Sequence, residues 1–340
     1  MSTLKKAFDQ KKYRLISDLW EELQTETDEF DWDNYLKFYG DHLSESLDSQ
    51  NKLVFTNFLS WSRSVGHFYA IPPLREDTLT KNLAGHSRRH FSEPDHRTFK
   101  AFLEDCRSNA AFPETETTSF LHKDIPLYSL ATDYFSALIN GDEKTAGDLI
   151  MNAIESGHSP KEIYLHVFQP GLWEIGRLWQ QNKISVGQEH FFSAATQMII
   201  SRLYPIIFNS HRNEKRVVAT AVGGELHEIG IRMVADFFEM YGWDTYYLGA
   251  NCPNKEVIEE LKRHSADVLA ISITMASHLG TARNLIRLIR NSPELANTKI
   301  LVGGRTYKQH GELFADLGAD AWAEDAENAV LKAQELLQTG

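Results

Sequence analysis

The chain has 340 residues, of which 42% are hydrophobic and 24% are charged, and its formal net charge is −12 at pH 7. This composition is typical of a globular protein with two or three domains. No long uncharged apolar run is present, which argues against a membrane span, and the acidic balance argues against direct nucleic-acid binding. The lack of an apolar signal region and the presence of only two cysteines, Cys106 and Cys252, favour the cytoplasm.

Residues 1–111 are predicted to form an α-helical domain of unknown purpose. The stretches "KKYRLISDLWEEL" and "YLKFYGDHLSESL" have helical periodicity. The stretch "GHSRRHF" contains Arg88 and Arg89, and arginine side chains are good donors to carboxylates. A charged stretch of this kind is usually a solvent-exposed face. Phe112–Phe120 is typical of a linker.

Residues 124–210 are predicted to form a helical bundle, which we call the cap. The stretches "SPKE" (159–162) and "SVGQ" (185–188) have the capping-box pattern and predict two helix starts. Apolar residues spaced as on one helix face lead up to Trp179. Pro170 is expected to kink or divide the helix that follows the first capping box.

Residues 216–340 alternate between strand and helix patterns. The predicted strands are Val217–Val222, Asp244–Leu248, Val268–Ile273, Lys299–Val302 and Asp320–Ala323. The predicted helices are Ile229–Tyr241, Asn254–His264, Ser277–Ile289, Tyr307–Leu317 and Asp325–Leu337. Repeated units of this kind predict a doubly wound α/β domain of Rossmann or flavodoxin type with a parallel sheet. Such sheets bind ligands at the carboxyl ends of their strands.

Three short motifs follow three of the predicted strands. They are E-x-H-x-x-G at Glu225, His227 and Gly230, S-x-T at Ser272 and Thr274, and the pair Gly303 and Gly304. Because parallel strands end at one edge of a sheet, these residues are expected to lie together. Their order resembles the D-x-H-x-x-G, S-x-L or S-x-T, and G-G pattern of cobalamin-binding domains of the methionine-synthase type. The alternative is a flavodoxin-like domain with a solvated loop histidine.

The resemblance implies a cobalamin bound in its base-off form, with His227 on cobalt as the lower axial ligand. It implies that Glu225 accepts a hydrogen bond from the second ring nitrogen of that histidine. The hydroxyls of Ser272 and Thr274 would line the channel of the nucleotide tail, and Gly303 and Gly304 would let the backbone approach that tail. One position departs from the family pattern: Glu225 replaces the usual aspartate, so the contact with the imidazole is expected to differ in geometry.

A second group of residues lies in the cap, where Trp179, Glu189 and His190 form the pattern W-x9-E-H. This spacing resembles the cap of cobalamin-dependent photoreceptor repressors of the CarH/LitR class. The resemblance implies that Trp179 covers the upper adenosyl group and that Glu189 and His190 contact it. Gln180 stands where those repressors have a histidine. The alternative is that Trp179 is an ordinary core residue.

These resemblances predict a light sensor that binds adenosylcobalamin and converts loss of the upper ligand into a conformational or oligomeric change. No basic DNA-binding domain precedes the cap, so an unidentified protein partner and a homodimer are expected. The architecture is also similar to photocobilins, which implies biliverdin as a possible second chromophore near Arg88 and Arg89. The alternatives are a corrinoid shuttle protein of a methyltransferase system and a cobalamin carrier. No catalytic acid–base pair is evident, so the chain is not predicted to be an enzyme.

Overall fold

A computed structural model describes residues 2–23, 31–75, 77–111, 118–208, 211–305 and 317–338. The chain divides into two compact units. The first comprises Met1–Thr117 with Gln180–Asn182, and the second comprises Thr118–Trp179 with Lys183–Gly340. Within the described residues, no helix is long and apolar enough to cross a membrane.

The first unit is helical, as predicted. Its helices are α1 (Ser2–Leu23), α2 (Trp32–Asp48), α3 (Lys52–Phe68), α4 (Pro72–Arg75), α5 (Thr78–His90) and α6 (Glu93–Asn109). Aromatic side chains fill much of its core, and Phe8, Tyr39, Phe55 and Phe99 are fully buried there. Such rings bury a large apolar area each, so they hold the described helices of this unit together without a sheet.

The second unit begins with the cap. Its helices are α7 (Tyr128–Ile139), α8 (Glu143–Glu155), α9 (Pro160–Ile163), α10 (Gln169–Gln180), α11 (Val186–Arg202) and α12 (Tyr204–Ile207). Both predicted capping boxes are present, at Ser159 with Glu162 and at Ser185 with Gln188. The helix that begins at Pro160 passes through a π-helical turn, Tyr164–Phe168, directly before Pro170. Proline lacks the N–H needed for the regular helical bond, which explains the changed hydrogen-bond pattern at this point.

The five predicted strands form one parallel sheet in the order β2-β1-β3-β4-β5. The strands are β1 (Arg216–Ala221), β2 (Asp244–Gly249), β3 (Val268–Ser272), β4 (Lys299–Gly303) and β5 (Ala321–Ala323). The accompanying helices are α13 (Ile229–Met240), α14 (Asn254–His264), α15 (Leu279–Arg290) and α16 (Ala326–Gln338). Short 3-10 helices occupy Ala276–His278 and Pro293–Leu295. The predicted helix at 307–317 lies almost entirely outside the described residues.

The parallel α/β domain that the sequence predicts is therefore present. All five residues of β3 and all but the first of β1 are buried, so both faces of these strands are covered. The cap and the sheet share one hydrophobic core, in which Phe168 of the cap and Phe237 of α13 are both fully buried. The predicted boundary between them, at residues 210–216, stays a prediction.

Candidate cofactor site

The turn after β1 aims a carboxylate inward and an imidazole outward. Gly224 has a φ of +90°, a conformation that suits glycine, and its N–H donates to the side chain of Asn251. The backbone N–H of Asn251 in turn donates to the carbonyl of Glu225. The loop after β2 thus fixes the turn. The side chain of Glu225 is 1% exposed, whereas that of His227 is 61% exposed.

The carboxylate of Glu225 is the hub of the site. Its Oε1 accepts from the backbone N–H of His227 at 3.1 Å and lies 2.5 Å from Nδ1 of the same residue. Its Oε2 accepts from the backbone N–H groups of Thr274 and Met275, at 2.9 and 3.0 Å. Nδ1 of His278 lies 3.2 Å from the same oxygen. The extra methylene relative to aspartate therefore allows one side chain to join the turn after β1 to the end of β3.

Two opposing effects act on the charge of Glu225. Burial disfavours the ionised form, but hydrogen bonds from His227 and His278 outweigh burial and lower the pKa of Glu225 well below its usual range. The hydrogen bond to Glu225 in turn raises the pKa of His227, and the negative charge of Glu189 acts in the same direction. Because a carboxylate only accepts, Nδ1 of His227 carries a proton and Nε2 is its free ring nitrogen.

The other strand ends complete the edge of the sheet. Ser272 closes β3 and is 8% exposed, and Thr274 follows it. Gly304 has a φ of +105°, and a Cβ there would lie 2.4 Å from the carbonyl oxygen of Ile273. A Cβ on Gly303 would lie 3.0 Å from the carbonyl oxygen of Ala323. Neighbouring backbone thus requires glycine at position 304 and leaves little room for a side chain at position 303. This is a structural reason for the two glycines, beside the predicted approach of a nucleotide tail.

These residues fit a corrinoid. A single exposed imidazole with a free Nε2 and a carboxylate on its other nitrogen is the donor arrangement that a macrocycle-bound metal needs from a protein. Gly230, in the first turn of α13, has no atom within 4 Å of where its Cβ would lie, so the surface beside His227 is open. His227 would hold the cobalt, and Glu225 would orient the imidazole.

The cap places α11 beside this turn. Nε2 of Gln197 donates to Glu228, the residue after His227, at 2.9 Å. One and two helical turns earlier lie Ser193 and Glu189, and the hydroxyl of Ser193 donates to Glu189 at 2.8 Å. Glu189 and His190 also pair with each other, 2.6 Å apart. The structure thus brings Glu189 within electrostatic reach of His227, while Trp179 lies half-buried at the end of α10.

One residue of the site had no place in the sequence prediction. His278 ends the 3-10 helix after β3, and its imidazole would contact a Cβ on Gly224 at 3.3 Å. It belongs to none of the three motifs, and 53 residues separate it from Glu225. The one signal in the sequence is a histidine shortly after the S-x-T motif, at the edge where the motif residues meet.

Comparisons with known proteins match two segments of the chain to B12-binding domains. Residues 215–331 and residues 130–204 each match a family model described as a B12 binding domain. Dimethylamine corrinoid protein 1 of Methanosarcina acetivorans is 29% identical over 198 residues, which cover 56% of this chain and 91% of that protein. A corrinoid protein of Desulfitobacterium hafniense is 24% identical over 216 residues, which cover 62% of this chain and 99% of that protein.

Among solved structures, the monomethylamine corrinoid protein of Methanosarcina barkeri has the same fold, with a TM-score of 0.55 and 20% identity. The match covers 62% of this chain and 99% of that one. The chain therefore contains B12-binding domains, as the motifs after β1, β3 and β4 predict. Its relatives are named for a corrinoid, which agrees with the prediction that the chain by itself is not an enzyme.

The prediction of a light sensor is wrong. The relatives are corrinoid proteins, several of them named for dimethylamine, and the chain spans about nine-tenths of the first of them. Trp179, Glu189 and His190 all lie inside the segment that matches a general B12-binding model, so their spacing does not single out photoreceptors. The comparisons give no support to biliverdin or to the adenosyl form of the cofactor.

Proposed function

We propose that this chain carries a methyl group on a bound corrinoid and works with a separate methyltransferase. The observation that carries the proposal is the exposed imidazole of His227, held by the buried carboxylate of Glu225 at 2.5 Å. The similarity to corrinoid proteins named for dimethylamine supports it. It was the first alternative that the sequence left open.

The residues of the site would bind different parts of the corrinoid. When bound, the corrinoid supplies a cobalt atom that accepts and releases a methyl group. His227 would occupy the lower face through Nε2, and the negative charge of Glu225 would make that imidazole a stronger donor. Ser272 and Thr274, at the end of β3, would border the nucleotide tail. Gly230 leaves space for the edge of the ring beside α13.

The cap would border the bound corrinoid, whose cobalt would carry the methyl group. Glu189 supports this placement because its charge acts on His227 from the adjoining helix α11. We propose that Trp179, Glu189 and His190 line the side of the cofactor that faces the cap. Each must leave the methyl group accessible to the partner, and the exposure of His190, at 74% of its side chain, suits that requirement.

The methyl form of the cofactor therefore replaces the adenosyl form as the proposed functional state. The proposed protein partner is a methyltransferase. Relatives named for dimethylamine make an enzyme for methylated amines the first class of partner to test. The predicted homodimer remains a prediction, and size-exclusion chromatography of the corrinoid-bound chain tests it.

The proposal is tested by methylating the corrinoid while it is bound. The chain is loaded with hydroxocobalamin, reduced with titanium(III) citrate, treated with iodomethane and desalted. We expect the absorption of a methylated corrinoid to remain with the protein. A corrinoid that binds but resists methylation, or that leaves the protein when methylated, would overturn the carrier function and leave only cobalamin storage.

Two variants separate the roles of the two faces. Trp179→Ala is expected to retain the corrinoid but to change the rate at which iodomethane methylates it. His227→Ala is expected to lose the spectrum of imidazole ligation. Tyr13→Ala, at a side chain 86% exposed in the first unit, is the matched control and should behave as the unchanged chain. Equal methylation rates for Trp179→Ala and the control would show that Trp179 is an ordinary core residue.

A further inference from the structure

A cavity lies in the first unit, in the cleft between α5 and α6. Its volume is about 450 Å³. Cavities of roughly 300 to 1,000 Å³ are the size that holds small organic ligands. The charged side chains that line it are Lys81, Arg88, Lys100, Glu104 and Arg107.

The cleft is strongly basic in an otherwise acidic chain. Lys81 and Arg88 stand on α5, and Lys100 and Arg107 stand on α6, so each wall carries two cations. Glu104 is the one carboxylate in the lining, and it lies 3.7 Å from Lys100. Among the described residues, no carboxylate lies within ion-pair distance of the other three cations. A cavity with this charge attracts anions.

The arginine pair predicted from "GHSRRHF" separates in the structure. His90 lies 2.9 Å from Asp18 of α1, and Arg89 lies 3.8 Å from the same carboxylate. Arg88, one residue earlier, faces the cleft instead. Acidic residues of α1 therefore compensate one side of α5, and the side with Arg88 is left with a surplus of positive charge.

Buried groups hold the walls of the cleft in place. The guanidinium of Arg63 makes a bidentate contact with Asp77, which precedes α5. The nitrogen-to-oxygen distances are 2.5 and 3.0 Å. The guanidinium also donates to the carbonyl of Arg107, near the end of α6, at 2.7 Å. Arg63 and Asp77 are 3% and 7% exposed. One buried cation thus ties the start of α5 to the end of α6.

His96 is oriented by a neighbour on the opposite helix. The hydroxyl of Ser87 donates its single proton to the carbonyl of Ala84 at 2.8 Å. Because Nδ1 of His96 lies 2.8 Å from the same hydroxyl, this nitrogen must be the donor to it. His96 lines the cleft, and Nε2 is the ring nitrogen left for a ligand.

Thr80, Ala84 and Leu103 form a buried floor. Gly85 stands at the cavity, and no atom lies within 4 Å of where its Cβ would be. A longer side chain at this helical position would extend into the cleft without strain. The site therefore combines an apolar base, cations on both walls and an opening.

From this arrangement we propose that the cleft binds a small organic molecule with at least two anionic groups, phosphates or carboxylates. Cations on opposite walls match two separated anionic groups, and the apolar floor matches the carbon frame between them. A lone phosphate ion would leave most of the cavity unfilled. The proposed ligand binds the first unit and is independent of the corrinoid proposed for the second.

The test is calorimetric titration of the full chain with two probes, fructose 1,6-bisphosphate and citrate, at low and at moderate salt. We expect saturable binding of one probe or both, weaker at higher salt. A preference for the bisphosphate assigns phosphate ligands, and a preference for citrate assigns carboxylate ligands. Arg88→Glu and Gly85→Leu are each expected to weaken binding about ten-fold or more, by removing a charge-assisted contact and by filling the cavity.

Arg97→Glu is the matched control, because Arg97 lies on the same helix α6, is 71% exposed and does not line the cavity. It should bind as the unchanged chain does. No saturable binding of either probe, or equal losses for Arg88→Glu and Arg97→Glu, would overturn the proposal. His227→Ala should leave this titration unchanged, so failure here is distinct from failure of the corrinoid function.

Discussion

Nδ1 of His278 lies 3.2 Å from Oε2 of Glu225, the carboxylate whose other oxygen holds His227. Two imidazoles from different loops therefore share one buried acid. Among the described residues, no hydrogen bond or ring contact joins His278 to His227, so Glu225 is its link to the proposed cobalt ligand. This makes His278 a positioning residue.

His278→Ala is expected to weaken corrinoid binding by a few-fold and to shift the absorption bands that report imidazole ligation. The backbone N–H groups of Thr274 and Met275 still hold Oε2 in this variant, so the loss stays well below that of His227→Ala. Removing a residue that hydrogen-bonds to a metal ligand typically lowers metal affinity about 10- to 100-fold. His278 contacts Glu225, which is such a residue, and does not itself hydrogen-bond to the proposed ligand, so a smaller loss is expected. A loss as large as that of His227→Ala would show that His278 is itself a ligand.

Glu225→Gln tests the tautomer of His227. Oε2 faces three donors and Oε1 faces two, so the amide oxygen of glutamine is expected to take the place of Oε2. The amide NH2 then faces the backbone N–H and Nδ1 of His227. Nδ1 of His227 would have to become an acceptor, which puts the proton on Nε2 and blocks that atom from the metal. We expect corrinoid to bind without imidazole on cobalt. Retention of the imidazole-ligated spectrum would contradict this role of the carboxylate.

Proton binding to His227 should compete with corrinoid binding. The hydrogen bond to Glu225 raises the pKa of His227, so a second proton on Nε2 competes with cobalt at a higher pH than it would on an ordinary histidine. The affinity for hydroxocobalamin is therefore expected to fall as the pH falls through this raised pKa. Glu189→Gln removes a charge that raises it, so its affinity should persist to lower pH. A midpoint unchanged by Glu189→Gln would contradict the electrostatic link between α11 and the turn.

Asp236 gives the contact between cap and sheet a pH dependence of its own. Burial raises its pKa to about 6, although it accepts a hydrogen bond from Tyr164 at 2.8 Å. The folded chain thus keeps a proton that the unfolded chain releases near pH 4, so this stabilisation is present in acid and is lost as pH rises through 6.

Asp236→Asn should remove this loss. The difference in the free energy of unfolding between Asp236→Asn and the unchanged chain is expected to grow in favour of the variant as pH rises. The growth between about pH 4 and pH 7 should reach up to about 3 kcal/mol. Denaturant unfolding across this range measures the difference. Asp133→Asn, at an exposed carboxylate of α7, is the control for the Asp-to-Asn change itself. A constant difference between Asp236→Asn and the unchanged chain would refute the raised pKa.

Two glycines at the sheet edge should respond in opposite ways. Gly304→Ala places a methyl group 2.4 Å from the carbonyl of Ile273 at a φ of +105°, and is expected to cost about 2 to 4 kcal/mol of stability. Gly230→Ala meets no neighbour and should gain about 0.5 to 1 kcal/mol as a better helix former. It should also weaken corrinoid binding if the ring edge lies there. Unchanged corrinoid affinity in Gly230→Ala would show that the edge of the ring does not lie against α13.

Local patterns predicted most of the fold. The strands and both capping boxes follow from apolar runs and from Ser-x-x-Glu or Ser-x-x-Gln spacing, which depend on neighbours in sequence. The order of the motifs likewise predicted which edge carries Glu225 and His227. His278 was missed because its partner is 53 residues away, and only the folded turn brings the two together. The cleft of α5 and α6 was missed because Arg88 and Arg89 are adjacent in sequence but face different neighbours.

The light-sensor prediction failed for a related reason. Trp179 and the pair Glu189 and His190 lie in a cap that matches a general B12-binding model, which is not specific to photoreceptors. The W-x9-E-H spacing therefore indicates a helical B12-binding cap and does not indicate whether the upper ligand is lost to light or transferred. The proposed function depends on a protein partner, which a spacing within one chain does not encode.

The central claim is that His227 binds the cobalt of a carried corrinoid. The most direct measurement is the electron paramagnetic resonance spectrum of the Co(II) form bound to the chain, made with ordinary and with ¹⁵N-labelled histidine. We predict a triplet superhyperfine splitting from one nitrogen that becomes a doublet on labelling and disappears in His227→Ala. A triplet that survives labelling would show that the cofactor's own base occupies the lower face, and would contradict the account.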